Sequence, residues 1–211
     1  MFYLVKTPWW MQRLYPSCTW NLKGPGKKVY LSFDDGPHPQ ITPFVLDLLK
    51  QYGAKASFFC IGKNVKAYPE IYKRIIDEGH AVGNHTQHHL NGWKNNSEDY
   101  LKDVEEAAGF INSRLFRPPY GKIKRQQISM LEKKPLNYKI VMWTVLSGDF
   151  DTGISKEKCL SNVLEKTSNG SIIVFHDSEK AFERMGYALP VVLNKLSENG
   201  YVFEKISEVT S

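Results

Sequence analysis

"LSFDDGPHP", residues 31–39, runs a strand-like stretch straight into two adjacent carboxylates and a Gly-Pro turn. Like charges that close raise each other's pKa and repel. Asp34 and Asp35 therefore call for a nearby cation, for a division of labour in a catalytic site, or for both. The strand pattern reaches back through "VYLSF" (29–33), and six further short β-branched or aromatic runs follow, at 56–61, 80–84, 115–118, 140–145, 171–175 and 201–206. Segments with a period near 3.6 lie between them. "FVLDLLKQYG" (44–53) and "EIYKRIIDEG" (70–79) end in glycine stops, while 97–115 and 155–167 open at Ser97 and Ser155 as N-cap candidates. Strand–helix alternation of this kind predicts parallel strands joined by crossover helices. Seven such units between residues 29 and 206 suit an α/β fold, a distorted (β/α)7-type barrel, with an open doubly wound sheet as the alternative. No linker divides the chain, so a single domain is expected: residues 28–211, with an aromatic-rich segment, 1–27, packed on it.

A chain of 211 residues is long enough to bury a sizeable core, and 42% hydrophobic with 24% charged residues is ordinary for a globular protein. The net charge of +6 is spread along the chain. "GKKVY" and "EKKPL" hold only two lysines each, so no nucleic-acid track is expected. Three cysteines, an odd number without short pairing, argue against a disulfide framework or a cysteine zinc site. Cys60 lies in an apolar run and reads as core, Cys159 falls on the pattern of a helix, and this cysteine usage suits a reducing compartment. At the N-terminus the longest apolar run is five residues before Lys6, too short for a signal-peptide core or a membrane span, which predicts a cytoplasmic protein. Phe2, Trp9, Trp10 and Trp20, interspersed with Lys6 and Arg13, read as a cover for the core. Peripheral membrane contact through these aromatics is the sharper alternative.

In a barrel of this type chemistry collects at the C-terminal ends of the strands. The first strand ends in Asp34 and Asp35, the third in "HTQHHL" (85–90), the fourth in "RPPYG" (117–121). "LSGDFD", with Asp149 and Asp151, follows the fifth, and the sixth ends in "HDS", with His176 and Asp177. Acidic, imidazole and guanidinium groups from five strands thus converge on one end. His85 and His89, four apart, share one face of a helical turn, although His88 at spacing three leaves a second pairing open. Two histidines with a carboxylate such as Asp35 make a three-ligand site whose remaining position holds water. One aspartate then binds the cation and the other is free to act as a base. Asp151 and Asp177 read as solvated loop carboxylates.

"SFDDGP", "NHTQHHL", "RPPYG" and "VFHD", in that order and spacing, resemble the motif set of the polysaccharide deacetylases, carbohydrate esterase family 4. The similarity runs from Lys28 to Ile206 and takes in "KASFFCIG" and "EGHAVGNH". The resemblance implies a distorted barrel of seven or eight βα units and a metal-dependent hydrolase that removes the N-acetyl group from an N-acetylated carbohydrate. It implies Asp34 as general base and Asp35, His85 and His89 as ligands of a divalent cation. Zinc is the first candidate, and cobalt, nickel, manganese or iron would also be accepted. Arg117 would hold Asp34, Tyr120 would present its backbone N–H to the oxyanion, and His176, tethered by Asp149, would be the general acid. Pro119, Phe150 and Val174 would line the substrate pocket. The chain departs from the family pattern at Phe150, often Trp, at Leu146, often Asp, and at Val174, usually Leu. These changes reshape the pocket for the acetyl methyl but remove no reacting group. Two rivals stand beside this reading: an amidohydrolase for a small non-sugar amide, and an inactive sugar-binding protein, whose signature would be a missing base, ligand or acid.

Overall fold

The computed structural model describes residues 3–207, so Phe2 lies outside the described residues. Eight strands form one sheet: β1 (Lys28–Asp34), β2 (Ala56–Cys60), β3 (Ala81–Asn84), β4 (Leu115–Phe116), β5 (Lys139–Ile140), β6 (Val145–Leu146), β7 (Ile172–His176) and β8 (Val202–Phe203). Their order is β5-β4-β3-β2-β1-β7-β6, with β8 on the start of β1, and the strand pairs are parallel. The sheet curls into the barrel-like arrangement that the alternation predicts.

The expected strand 140–145 is a correction. It is two short strands, β5 and β6, on opposite edges of the sheet. Between them the backbone turns inward and spends two carbonyls, Val141 and Met142, on the Arg117 guanidinium instead of on a ladder. One kinked segment thereby holds both edges: Ile140 pairs with Phe116, and Leu146 pairs with Val174. The N-terminal segment covers the same seam. Lys6 bridges Val145 and Thr19 bridges Val141, with the Leu146 N–H donating to the Val5 carbonyl at 2.8 Å and the Met142 N–H to the Thr19 carbonyl at 2.8 Å. Trp20 is buried there with its indole N–H on the Tyr15 carbonyl, whereas Trp9 and Trp10 are exposed, the guanidinium of Arg13 lying over Trp9.

Eight helices surround the sheet: α1 (Trp9–Leu14), α2 (Ile41–Gln51), α3 (Gly62–Ala67), α4 (Pro69–Asp77), α5 (Ser97–Ala108), α6 (Arg125–Glu132), α7 (Lys156–Lys166) and α8 (Glu179–Glu198). Gly53 and Gly79 stop α2 and α4 at φ 58° and 81°, values that favour glycine. Ser155 caps α7 as expected, but the cap of α5 is Asn96, whose side chain accepts the Asp99 N–H at 2.8 Å. The longest helix, α8, is not among the expected elements, because Gly186 and Pro190 interrupt its pattern. Its buried stripe of Met185, Leu189, Val192 and Leu196 nevertheless packs on the outer face of β1 and β7. Phe33 joins that layer between Phe58 and Phe175. Alternate residues of the same strands, Ser32, Asp34, Val174 and His176, face the interior. Cys18, Cys60 and Cys159 are free and buried, and among the described residues no helix is long and apolar enough to cross a membrane.

Candidate active site

Asp34 ends β1 almost fully buried, and Arg117, with no exposed surface at all, donates to its Oδ1 at 2.7 Å. A guanidinium without water needs every donor satisfied. Arg117 also donates to Ser32 Oγ at 2.7 Å and to the carbonyls of Val141 and Met142 at 3.2 Å each, and its guanidinium carbon lies over the Phe59 ring, 4.0 Å from the centroid. The fork is thus fixed from four sides and aims one N–H at the carboxylate. Burial lowers the Arg117 pKa while the Asp34 charge raises it, with burial the larger effect.

Asp35, His85 and His89 offer donor atoms that all lie within 4.8 Å of one another. His85 is buried and donates its Nδ1–H to the Arg117 carbonyl at 2.7 Å, which leaves Nε2 as a lone pair toward Asp35. Burial pushes its pKa down to about 4, so it is neutral at physiological pH. His89 Nε2 stands 3.2 Å and His85 Nε2 3.8 Å from Asp35 Oδ1, yet that buried oxygen has no hydrogen bond. An orphaned carboxylate oxygen facing two imidazole nitrogens is the donor set of a divalent cation, and the residues fit one. Burial raises the Asp35 pKa, but the imidazoles of His89, His176 and His85 override it and hold the carboxyl well below its ordinary value. Asp35, His89 and Tyr120 take φ values of 81°, 58° and 60°, a left-handed conformation that costs a non-glycine residue about 1–3 kcal/mol. Such strain concentrated in one site is the mark of a geometry imposed by the surrounding fold.

His176 stands beside Asp34 as its register partner across β1 and β7. It donates Nδ1–H to Asp149 Oδ1 at 2.8 Å, and its backbone N–H reaches Asp149 Oδ2 at 2.7 Å. Burial works against the imidazolium, but Asp149, aided by the charges of Asp35 and Asp34, raises the pKa from 6.5 to about 10. A raised pKa contributes stability that is fully present below about pH 6.5 and lost as the pH rises through about 10. Asp149→Asn removes the principal charge, so the alkaline limb of the kcat/KM profile is expected to move acidward by roughly 1–2 pH units. An unshifted limb would show that Asp149 does not set the His176 proton.

The other expected pocket residues are dispersed. Phe150 packs edge-on against His176 at 5.2 Å; Val174 is buried beneath His176 on the same face; Pro119 is buried at the start of the turn that carries Tyr120. Tyr120 is 59% exposed, and its hydroxyl lies 3.1 Å from His89 Nδ1. His88 turns away from the ligand cluster and donates to Asp103 Oδ1 at 2.6 Å.

Three groups escape the sequence reading. Asp177 is not a solvated loop carboxylate: it is buried, takes the Gly36 N–H on Oδ1 at 3.0 Å and binds the Thr42 hydroxyl through Oδ2, so that it anchors the turn carrying Asp35. Burial, helped by the Asp35 charge, pushes its carboxyl up to about 8. A Cβ on Gly36 would overlap that carboxylate, which explains the glycine. Asp103 of α5 holds the ligand loop from beneath by accepting the Gln87 and His88 N–H groups at 3.0 Å each. Tyr3 packs on Phe150 at 5.1 Å and hydrogen-bonds Asp151, extending the His176 side of the site with a residue from the N-terminal segment. A buried acid after His176 is the only one of these with a sequence signal, the "HD" pair.

A family model for polysaccharide deacetylase matches residues 21–139. The chain belongs to the polysaccharide deacetylase family, carbohydrate esterase family 4. A peptidoglycan-N-acetylglucosamine deacetylase of Bacillus cereus is 34% identical over 90% of this chain and 92% of its own. A second one from the same species is 39% identical over 74% of this chain, which spans 58% of that relative's length. A chitooligosaccharide deacetylase of Azorhizobium caulinodans is 35% identical over 71% of this chain and 73% of its own. Among solved structures, a peptidoglycan N-acetylglucosamine deacetylase in complex with 4-naphthalen-1-yl-N-oxidanyl-benzamide superposes with a TM-score of 0.84 at 32% identity, covering 95% of both chains. A family pseudoenzyme from Bacillus anthracis superposes with a TM-score of 0.78 at 26% identity, over 94% of this chain and 70% of its own.

Proposed function

We propose that this polysaccharide deacetylase is a metal-dependent enzyme that hydrolyses the N-acetyl group of an N-acetylglucosamine-containing glycan and releases acetate. The observation that carries the reading is the placement of an arginine-held carboxylate, Asp34, beside a carboxylate-held imidazole, His176, above an unsatisfied Asp35–His85–His89 donor set. The family includes a pseudoenzyme, so membership alone leaves activity open; a complete set of base, acid and ligands favours an active member.

Asp35, His85 and His89 would hold the divalent cation, for which zinc suits the donors and cobalt, nickel, manganese or iron would be accepted. When bound, such a cation supplies Lewis acidity toward a water and toward the amide carbonyl. Asp34 takes a proton from the attacking water, and the Arg117 fork keeps that carboxylate aimed. The Tyr120 backbone N–H faces the developing oxyanion, a donor worth about 3 kcal/mol in comparable sites. His176 delivers its proton to the departing nitrogen, with Asp149 keeping the imidazolium charged until then. The water oxygen joins the acetyl carbon, the C–N bond breaks, and acetate and a free amino sugar leave. The N-oxidanyl-benzamide bound to the structural relative is a hydroxamic acid, a class of ligand that chelates metals, and it fits the same reading.

The test is acetate release from polymeric, oligomeric, and lipid- or nucleotide-linked N-acetylglucosamine, with a small non-sugar amide alongside. Acetate that disappears after chelator dialysis and returns with zinc or cobalt supports the proposal. Cleavage of the small amide alone would overturn the sugar assignment, and stoichiometric cation binding without any acetate would overturn the reaction.

A further inference from the structure

Asp35, the carboxylate of the donor set, sits in a left-handed turn at φ 81°, a conformation that a residue with a side chain disfavours and that its surroundings must impose. The bonds that impose it come from two sides. From β7, the Asp177 N–H donates to the Asp34 carbonyl at 3.1 Å, and Asp177 Oδ1 accepts the Gly36 N–H at 3.0 Å. From the loop after β2, the Asn64 side-chain amide donates to the Asp35 carbonyl at 2.7 Å and the Ile61 N–H to the Gly36 carbonyl at 2.9 Å. Asp177 therefore grips the chain on both sides of Asp35, although the hydrolysis gives it no proton to move and it is not one of the three donors.

The grip is firm because Asp177 is itself fixed. It is buried, and its Oδ2 is bound to the hydroxyl of Thr42, which is also buried. Thr42 Oγ1 accepts the His38 N–H at 2.7 Å, and His38 Nδ1 accepts the Gln40 and Ile41 N–H groups at 3.2 Å each. The connection from β1 to α2 thus hangs on one carboxylate at both of its ends. The fit has no slack. Gly36 is not among the residues of positive φ, so the backbone there does not demand glycine; the space does, because a Cβ would overlap the Asp177 carboxylate.

Resting on the reading of Asp35 as a cation ligand, we infer that Asp177 is a positioning residue of the cation site: by bracketing Asp35 it aims Oδ1 at the His85 and His89 nitrogens and so sets the affinity for the cation. Because Asp177 follows His176 directly, the same residue ties the strand that carries the acid to the turn that carries the ligand. Gly36 belongs to this device as the residue that makes room for the carboxylate.

The experiment titrates zinc into the chelator-dialysed full chain against a chromophoric competitor, with the thermal midpoint and acetate release measured on the same proteins. Asp177→Ala is expected to weaken zinc binding about 10–100-fold, the range that partners of metal ligands contribute. Asp177→Asn, whose amide oxygen can still accept the Gly36 N–H, is expected to recover most of that affinity. Gly36→Ala drives a methyl into the carboxylate and is expected to weaken zinc binding by itself. In the Asp177→Ala background, where the space is open, it is expected to cost nothing further, the non-additivity of two groups in contact. Should Asp177→Ala not fold, Gly36→Ala and Asp177→Asn read the same bond. Zinc affinity that stays at the parent value in Asp177→Ala or Gly36→Ala while the thermal midpoint falls makes Asp177 a support of the fold alone and overturns the inference. Losses that simply add in the double variant overturn it too. Weakened zinc binding in variants of a parent that releases no acetate would support the positioning role and overturn the reaction.

Discussion

Asp34→Asn is expected to lower kcat by roughly 10²–10⁴-fold, the span a positioned general base contributes, while the cation still binds one per chain. The substitution is nearly isosteric. Its amide oxygen can still accept from Arg117 Nη1, which now lies 2.7 Å from the carboxylate, and Asp35, His85 and His89 keep their own anchors. What disappears is the capacity to accept a proton beside the donor set. Removing this charge leaves the buried guanidinium without a counter-ion, its acceptors being the amide oxygen, Ser32 and two carbonyls. Some stability is therefore lost, and the assay belongs on protein verified as folded by circular dichroism. Turnover within tenfold of the parent protein, with the cation bound, would remove Asp34 from the role of base.

Arg117→Met carries the larger stability effect. Arg117 is among the largest fully buried side chains, and its replacement strands the almost fully buried Asp34 without a counter-charge. Breaking a buried ion pair from one side costs about 3–5 kcal/mol. Here the loss also leaves Ser32 Oγ and the Val141 and Met142 carbonyls without the donors that reach them. Those carbonyls belong to the kinked segment that joins the two edges of the sheet, so the substitution acts on barrel closure as well as on the base. Arg117→Lys should restore little, because an ammonium cannot reproduce a planar fork that serves four acceptors. Urea denaturation measures both variants, and a loss under about 1 kcal/mol for Arg117→Met would show that the pair is not what holds this end of the barrel together.

Legibility followed the range of the interactions. The residues Asp34, Asp35, His85, His89, Arg117, Asp149 and His176 were readable as candidates because they lie at the ends of five strands, where the parallel fold concentrates polar groups whatever the details of packing. The strand 140–145 misled for the opposite reason. Its apolar pattern is continuous, but its carbonyls are claimed by a buried arginine and its edges by residues 5–7 and 19, contacts that no local pattern announces. Helix α8 was hidden by Gly186 and Pro190, whose cost is outweighed by a long apolar face buried on β1 and β7.

By itself, the sequence determined the alternation of strands and helices and the end of the barrel where polar residues collect, which follow from period, spacing and residue type and are local. The roles proposed for its acid, base and ligand-type residues came from the resemblance of its motifs to the family's. Tertiary structure alone decided that His88 serves Asp103 and not the ligand cluster, that Asp177 is a buried anchor for the Asp35 turn, and that Tyr3 packs on Phe150 beside His176. Asp177 meets Thr42 across 135 residues of chain, and the charge state of such a group depends on what packs around it. Burial is a property of the assembled fold, so a carboxylate that looks solvated in sequence becomes a structural acid only when distant strands close over it.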